Sequence, residues 1–207
     1  MAQSFTQVPP NSTGNKLQMR QYVRGANTVQ SQGVYFDGLP SFRLMIPAIV
    51  PAANKYHIVL RNNLGSAQTI FLNGLYCVPD GVTAVTGVIN QFNARRVTGT
   101  PTLTAITPLA FNTADPALAN VVAGHTATAG LTDGSIITPF VVSTEENTAV
   151  PTNTNMQLPF LANLLAPMYQ FGRPWALRPD EGFAVKQIGA GTVGTVSWIL
   201  DFSVEAD

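Results

Sequence analysis

An all-β fold, a jelly-roll-like antiparallel sandwich, is what this sequence predicts, and three observations carry that reading. Short apolar runs alternate with polar residues at the period-2 spacing of half-buried strands. Clusters of Gly, Pro, Asn and Asp punctuate those runs along the whole chain, which holds 17 Gly and 15 Pro in 207 residues. Helix signals amount to one or two short stretches at most. The last strand is the clearest: from Thr195 to Glu205, Val196, Trp198, Leu200, Phe202 and Val204 share one side. A strand this apolar belongs in the interior of a sheet.

The elements follow in order. Residues 1–32 are polar and irregular and read as an N-terminal arm, lying on a neighbouring subunit or pairing late with the domain's own sheet. Within the arm, Leu17–Val23 alternates like a strand. Residues 33–207 read as a single sandwich domain. Val34–Phe36 and Phe42–Ile46 are strand-like, separated by an Asp37-Gly38 turn. Tyr56–Leu60 and Gln68–Leu72 read as a hairpin around Asn62–Ser66, with Asn73-Gly74 as a bulge or a second turn before Leu75–Val78. Residues 82–97 read as strand, with Val85, Val88 and Ile89 as core candidates. Thr98–Thr148 is a Thr- and Ala-rich excursion between the central strands. In it Asp115, Pro116 and Gly124 punctuate a short helix. Phe183–Ile188 and Thr195–Val204 read as a second hairpin across Gly189–Gly194. That glycine run matches G-x-G-x-x-G, but a β-branched strand follows it where a nucleotide-binding turn needs a helix.

Composition restricts the function. Only 11% of residues are charged and the net charge is zero, against about 25% charged in an ordinary soluble domain. Such a surface suits a protein covered by neighbours. Binding nucleic acid needs a basic stripe, and none is present. The single Cys77 excludes an internal disulfide framework. The sequence shows no signal-like segment and no long apolar run, so the expectation is a chain made in the cytoplasm and not inserted in a membrane. Leu158–Phe171 is uncharged and strongly apolar. It reads as a buried loop or as a subunit contact made by Leu158, Phe160, Leu161, Leu164, Leu165, Met168 and Tyr169.

Residues that could carry chemistry are sparse. His57 sits among apolar strand neighbours and reads as structural or interfacial; His125 follows the expected helix. One Cys and two His without acidic partners at ligand spacing make no zinc site. No G-x-S-x-G elbow occurs. Glu145-Glu146 and Asp180-Glu181 read as solvated loop pairs. Arg95 and Arg96 would face opposite sides of a strand. No catalytic residue, cofactor or metal is expected, and the chain is not expected to be an enzyme.

Asn93–Thr104, Asn112–Leu118, Ala123–Ala127 and Leu177-Arg178-Pro179-Asp180-Glu181-Gly182 occur in an order that resembles β-rich structural proteins of tailed-bacteriophage virions. The final turn there usually reads Arg-Pro-Gly-Glu-Gly, so Asp180 is a departure. The resemblance spans roughly Gln91–Glu205 and implies a place in the virion as a head decoration, minor capsid or tail-associated protein. It implies partners too: copies of the chain, most plausibly as a trimer, and virion proteins such as the major capsid protein. A tail, baseplate or collar adaptor and a carbohydrate-binding jelly roll are the rival readings.

Overall fold

A computed structural model describes residues 3–7, 16–24, 27–32, 39–80, 89–115, 117–143, 163–166, 175–189 and 194–206. The chain divides into two units, Met1–Gly38 and Leu39–Asp207. In the first, β1 (Gln3–Gln7), β2 (Lys16–Arg24) and β3 (Asn27–Gln32) form an antiparallel sheet in the order β1-β2-β3. The region read as an arm thus holds a sheet of its own, with the alternating Leu17–Val23 run inside its central strand. Val34–Phe36 and the Asp37-Gly38 turn lie outside the described residues.

The second unit is a sandwich of two antiparallel sheets. Its strands are β4 (Ser41–Ile49), β5 (Tyr56–Asn62), β6 (Gln68–Asp80), β7 (Ile89–Thr98), β8 (Thr102–Ala105) and β9 (Leu109–Ala110). They continue with β10 (Val121–Ala129), β11 (Thr132–Ser143), β12 (Trp175–Leu177), β13 (Gly182–Gln187) and β14 (Thr195–Ala206). One sheet runs β12-β6-β14-β4-β9 and the other β11-β7-β13-β5-β10-β8. Leaving out β8, β9 and β10, the eight remaining strands follow jelly-roll order, β12-β6-β14-β4 facing β11-β7-β13-β5, and change sheet at every step except β7 to β11. Those three strands are an insertion between the fourth and fifth jelly-roll strands, inside the excursion that the composition marks out.

β14 lies between β6 and β4, as its apolar side requires. Val196, Trp198, Leu200 and Phe202 are fully buried, beside Leu44, Ile46, Ile70 and Leu75 of the flanking strands. Each large side chain buried this way contributes about 1.5–3 kcal/mol. From the facing sheet come Ile58, Leu60, Phe92, Phe183 and Val185. Phe92 meets Trp198 edge-on at 5.1 Å and stacks on Phe140 at 5.7 Å.

Three expectations are corrected. The two hairpins are not hairpins: β5 and β6 lie in different sheets, as do β13 and β14. Their connections are arches between sheets, because every apolar strand here needs a facing layer more than it needs its sequence neighbour. The helix at 115–124 is absent; Asp115 sits in a turn and Val121–Gly124 pairs with β5. Capping residues alone do not hold a helix when the segment's Val-Val pair can extend a sheet. Ile89 is two-thirds exposed, since Asn90, Phe92 and Ala94 take the inward positions. Val85 and Val88 lie outside the described residues.

The expected bulge is present. In the β14–β6 ladder the register shifts at Asp201/Phe202, opposite Gly74 and Leu72, leaving Asn73 as the extra residue. At Gly74 a Cβ would come within 2.7 Å of the Tyr76 hydroxyl.

The free edges of the sandwich differ. β8, β9 and β12 are 4, 2 and 3 residues long, whereas β11 has 12. The β11 edge carries a proline at the position where it blocks growth. Ile188 N–H donates to the Gln91 carbonyl, so Gln91 turns its backbone groups toward β13 and away from β11. Its partner Val141, and Pro139 two residues before, therefore turn theirs outward. The donor that Pro139 lacks is one that a further strand would need.

Candidate functional site

Among the seven residues expected to form a contact, Leu164 and Leu165 are described. The edge of β6 decides their placement. Asn163 accepts from Leu75 N–H (3.0 Å) and donates to the Asn73 carbonyl (3.0 Å), while Leu164 N–H donates to the Leu75 carbonyl (2.8 Å). β12 pairs with β6 only as far as Leu72, and beyond its end residues 163–165 supply the partners. Clipped there, Leu165 enters the core at 2% exposure and Leu164 packs half-buried against it. Leu158, Phe160, Leu161, Met168 and Tyr169 lie outside the described residues.

Exposed apolar side chains gather on the outer faces of the sheets. On the β12-β6-β14-β4-β9 sheet, the cross-strand pairs Arg43–Asp201, Met45–Ile199 and Ile199–Tyr76 share the outward face with Leu109 and Phe111. Met45, Leu109 and Phe111 are 50%, 61% and 57% exposed. Arg43 grips Asp201 through two hydrogen bonds (2.7 and 2.8 Å) and lies 5.0 Å over the Phe111 ring. A second patch joins Ile89, Val141 and Ile188 at the β7–β11 end of the other sheet, around a hollow edged by Gln91 and Asn93.

Elsewhere the outer face of that six-stranded sheet is covered. β10 starts beside β5, bends at Thr126 (φ 51°) and delivers the chain to Thr132, which pairs with Thr98 at the end of β7. In crossing, Leu103, Ala127 and Leu131 close over Val59, Val97 and Ala184. The crossing is tight at Gly130 (φ +80°), where a Cβ would fall 1.9 Å from the Thr100 carbonyl oxygen.

Polar groups on the covered face are paired inside the chain. Asp133 accepts hydrogen bonds from Tyr56 (2.6 Å), Arg95 (2.8 Å) and Lys186 (2.7 Å). Burial raises its pKa, but the bonds from Lys186 and Tyr56 and the charge of Arg95 outweigh that and hold it below the usual range. Burial, then the bond to Asp133, pushes Tyr56 up to about 12. Arg96, on the opposite side of β7 as expected, pairs with Glu181 (2.9 Å) and lies 4.5 Å over Trp175. Trp175 is thus occupied by a guanidinium, and Trp198 is fully buried.

The Arg178–Glu181 turn corrects the reading of Asp180-Glu181 as a solvated pair. Glu181 N–H donates to the Arg178 carbonyl, Pro179 takes the second position and Asp180 the third with φ 70°. This is a type II turn, whose third position favours glycine. Asp180 occupies it and forms an ion pair with Arg61, whose side chain is 5% exposed. A left-handed backbone is tolerated here in exchange for the counter-ion of a buried guanidinium.

His57 is buried by a bulge of its own. Val185 pairs with Ile58 and Lys186 with Tyr56, so His57 is the extra residue and both it and Ile58 turn inward. Trp198 Nε1–H donates to His57 Nδ1 (3.2 Å), which fixes the proton on Nε2; that nitrogen donates to Gln187 Oε1 (3.1 Å). Gln187 Oε1 also accepts from Ala52 N–H, and its amide nitrogen donates to Asn90 and to the Gly189 carbonyl. Burial lowers the His57 pKa to about 4. Cys77 is buried, and His125 bonds Thr126 (2.8 Å) in β10, where burial lowers its pKa.

A groove of about 490 Å³ lies beside the insertion, between Phe42, Ile106, Leu118 and Val121. Asp115, the one ionisable residue among its lining, accepts from Ser41 N–H at 3.3 Å. Among the described residues no three His, Cys, Asp or Glu side chains come together as metal ligands, and no helix is long and apolar enough to cross a membrane. Glu145-Glu146 lies outside the described residues. No family model, curated protein or solved structure matches the chain.

Proposed function

We propose that this protein is a structural component of a tailed-phage virion, a head decoration or minor capsid protein that packs on capsid or neighbouring subunits and stabilises the particle without catalysis. One observation carries the reading. Arg43, Arg61, Arg95, Arg96 and Lys186 are each paired inside the chain, while Met45, Leu109 and Phe111 stand exposed together on one sheet face that no other described residue covers. A surface that neutralises its own charges and displays apolar side chains loses little on desolvation and gains on being covered. The jelly roll is consistent with this, being a recurrent shell-building module. The resemblance of Asn93–Thr104 and Leu177–Gly182 to virion proteins adds the particle.

The partners that follow are copies of the chain, with a trimer as the expected state, and the major capsid protein. The test is native mass measurement of the full chain, together with localisation in an intact particle by cryo-microscopy. Density on the head supports the reading. Density confined to the tail or collar would replace it with an adaptor role in the same particle. A stable monomer absent from any particle overturns it.

A further inference from the structure

We propose that the His57–Trp198–Gln187 network is an acid-released latch that ties the two sheets and two inter-sheet corners of the sandwich together. The geometry carries this. His57 belongs to β5 of one sheet and Trp198 to β14 of the other, and the bond between them runs through the core. Gln187 extends the tie to Ala52 in the β4–β5 arch and to Gly189, where the chain leaves β13. The bulge that adds His57 to β5 has the effect of aiming an imidazole at the indole N–H.

The latch holds only with neutral imidazole. Nδ1 must accept from the indole while Nε2 donates to Gln187. A proton on Nδ1 sets two donors against each other across 3.2 Å and leaves a charge with no counter-ion. The ring's neighbours from β7, β13 and β14 are Phe92, Gln187 and Trp198, all uncharged. The charged and titratable groups that act on it are Lys55 and His125, and both oppose a positive charge. Stability is therefore complete above the unfolded pKa of about 6.5 and is lost as the pH falls toward 4, because the unfolded chain takes up the proton first.

The test is the unfolding equilibrium of the full chain between pH 7.5 and pH 4, for the natural protein, His57→Gln and His125→Gln. The natural protein and His125→Gln are expected to lose on the order of 100-fold in folded-to-unfolded ratio more than His57→Gln does over that span. Equal acid losses in all three overturn the proposal. Nuclear magnetic resonance of the natural protein decides the matter if His57→Gln does not fold. A protonated Nε2 at pH 7.5 and loss of the Trp198 indole proton's protection as His57 titrates well below 6.5 support the latch. A His57 that titrates near 6.5 with the indole proton still protected refutes it.

Discussion

The two outer faces of the sandwich are built from the same kind of strand and have opposite fates. On the six-stranded sheet, Val59, Val97 and Ala184 are fully buried because the insertion crosses over them, and Asp133 gathers Tyr56, Arg95 and Lys186 beneath the same cover. On the five-stranded sheet none of the described residues crosses the corresponding surface, and Met45, Leu109 and Phe111 are exposed beside a single bidentate ion pair. The chain covers one face with its own residues and holds the paired charges of Asp133, Arg95 and Lys186 there. The other face is finished only as far as folding requires, which is the condition expected of a surface to be covered by another molecule.

Substitutions on the two faces test this contrast. Ala184→Asp places a charge under the insertion and is expected to destabilise the fold by more than about 4 kcal/mol. Met45→Asp, on the face with exposed apolar side chains, should change the unfolding free energy in denaturant by no more than about 0.5 kcal/mol. Comparable losses at both sites would show the two faces to be equivalent. Asp133→Asn leaves Arg95 and Lys186, 13% and 15% exposed, without their carboxylate, and should cost about 2 kcal/mol at pH 7. The folded pKa of Asp133 is depressed, so its contribution is full above about pH 4 and is lost as pH falls through the folded value. The asparagine variant should have a correspondingly flatter stability profile in acid.

Asp180→Gly sets two effects against each other. It relieves a left-handed backbone, worth about 1 kcal/mol, and strips buried Arg61 of its counter-ion, which costs about 2–3 kcal/mol given that Asp180 is half exposed. A net loss of about 1–2 kcal/mol is expected in thermal unfolding, and a gain would show that Arg61 needs no counter-ion. Phe111→Ser, like Met45→Asp, is expected to change folding by no more than about 0.5 kcal/mol. Its effect should appear in native mass measurement as lost association.

How much of this was legible in the sequence depended on what set each feature. The apolar side of β14 was legible because alternation is a local property, and Val196 to Val204 states it without interruption. Asn73-Gly74 could be read as a bulge or as a second turn, and only the β14 register decides for the bulge. Sheet assignment was not legible: Asn62–Ser66 has good turn residues, and nothing in a turn tells a hairpin from an arch between sheets. Ile89 was misplaced because one inward polar residue, Asn90, is satisfied by Gln187 from a strand 97 positions away. The burial of His57 depended on a bulge opposite Lys186, which only the paired strand reveals. Asp180 was noticed as a departure from a glycine, but its reason lies in Arg61, far off in the chain.

Pro139 gives assembly a direction. Three of the sandwich's edges are too short to template a strand, and the fourth has lost a needed donor at Pro139. Even at high concentration, copies of the chain would not zip edge to edge through these strands into fibrils. They would have to meet through side chains, broad surface on broad surface, where geometry permits a closed and countable array.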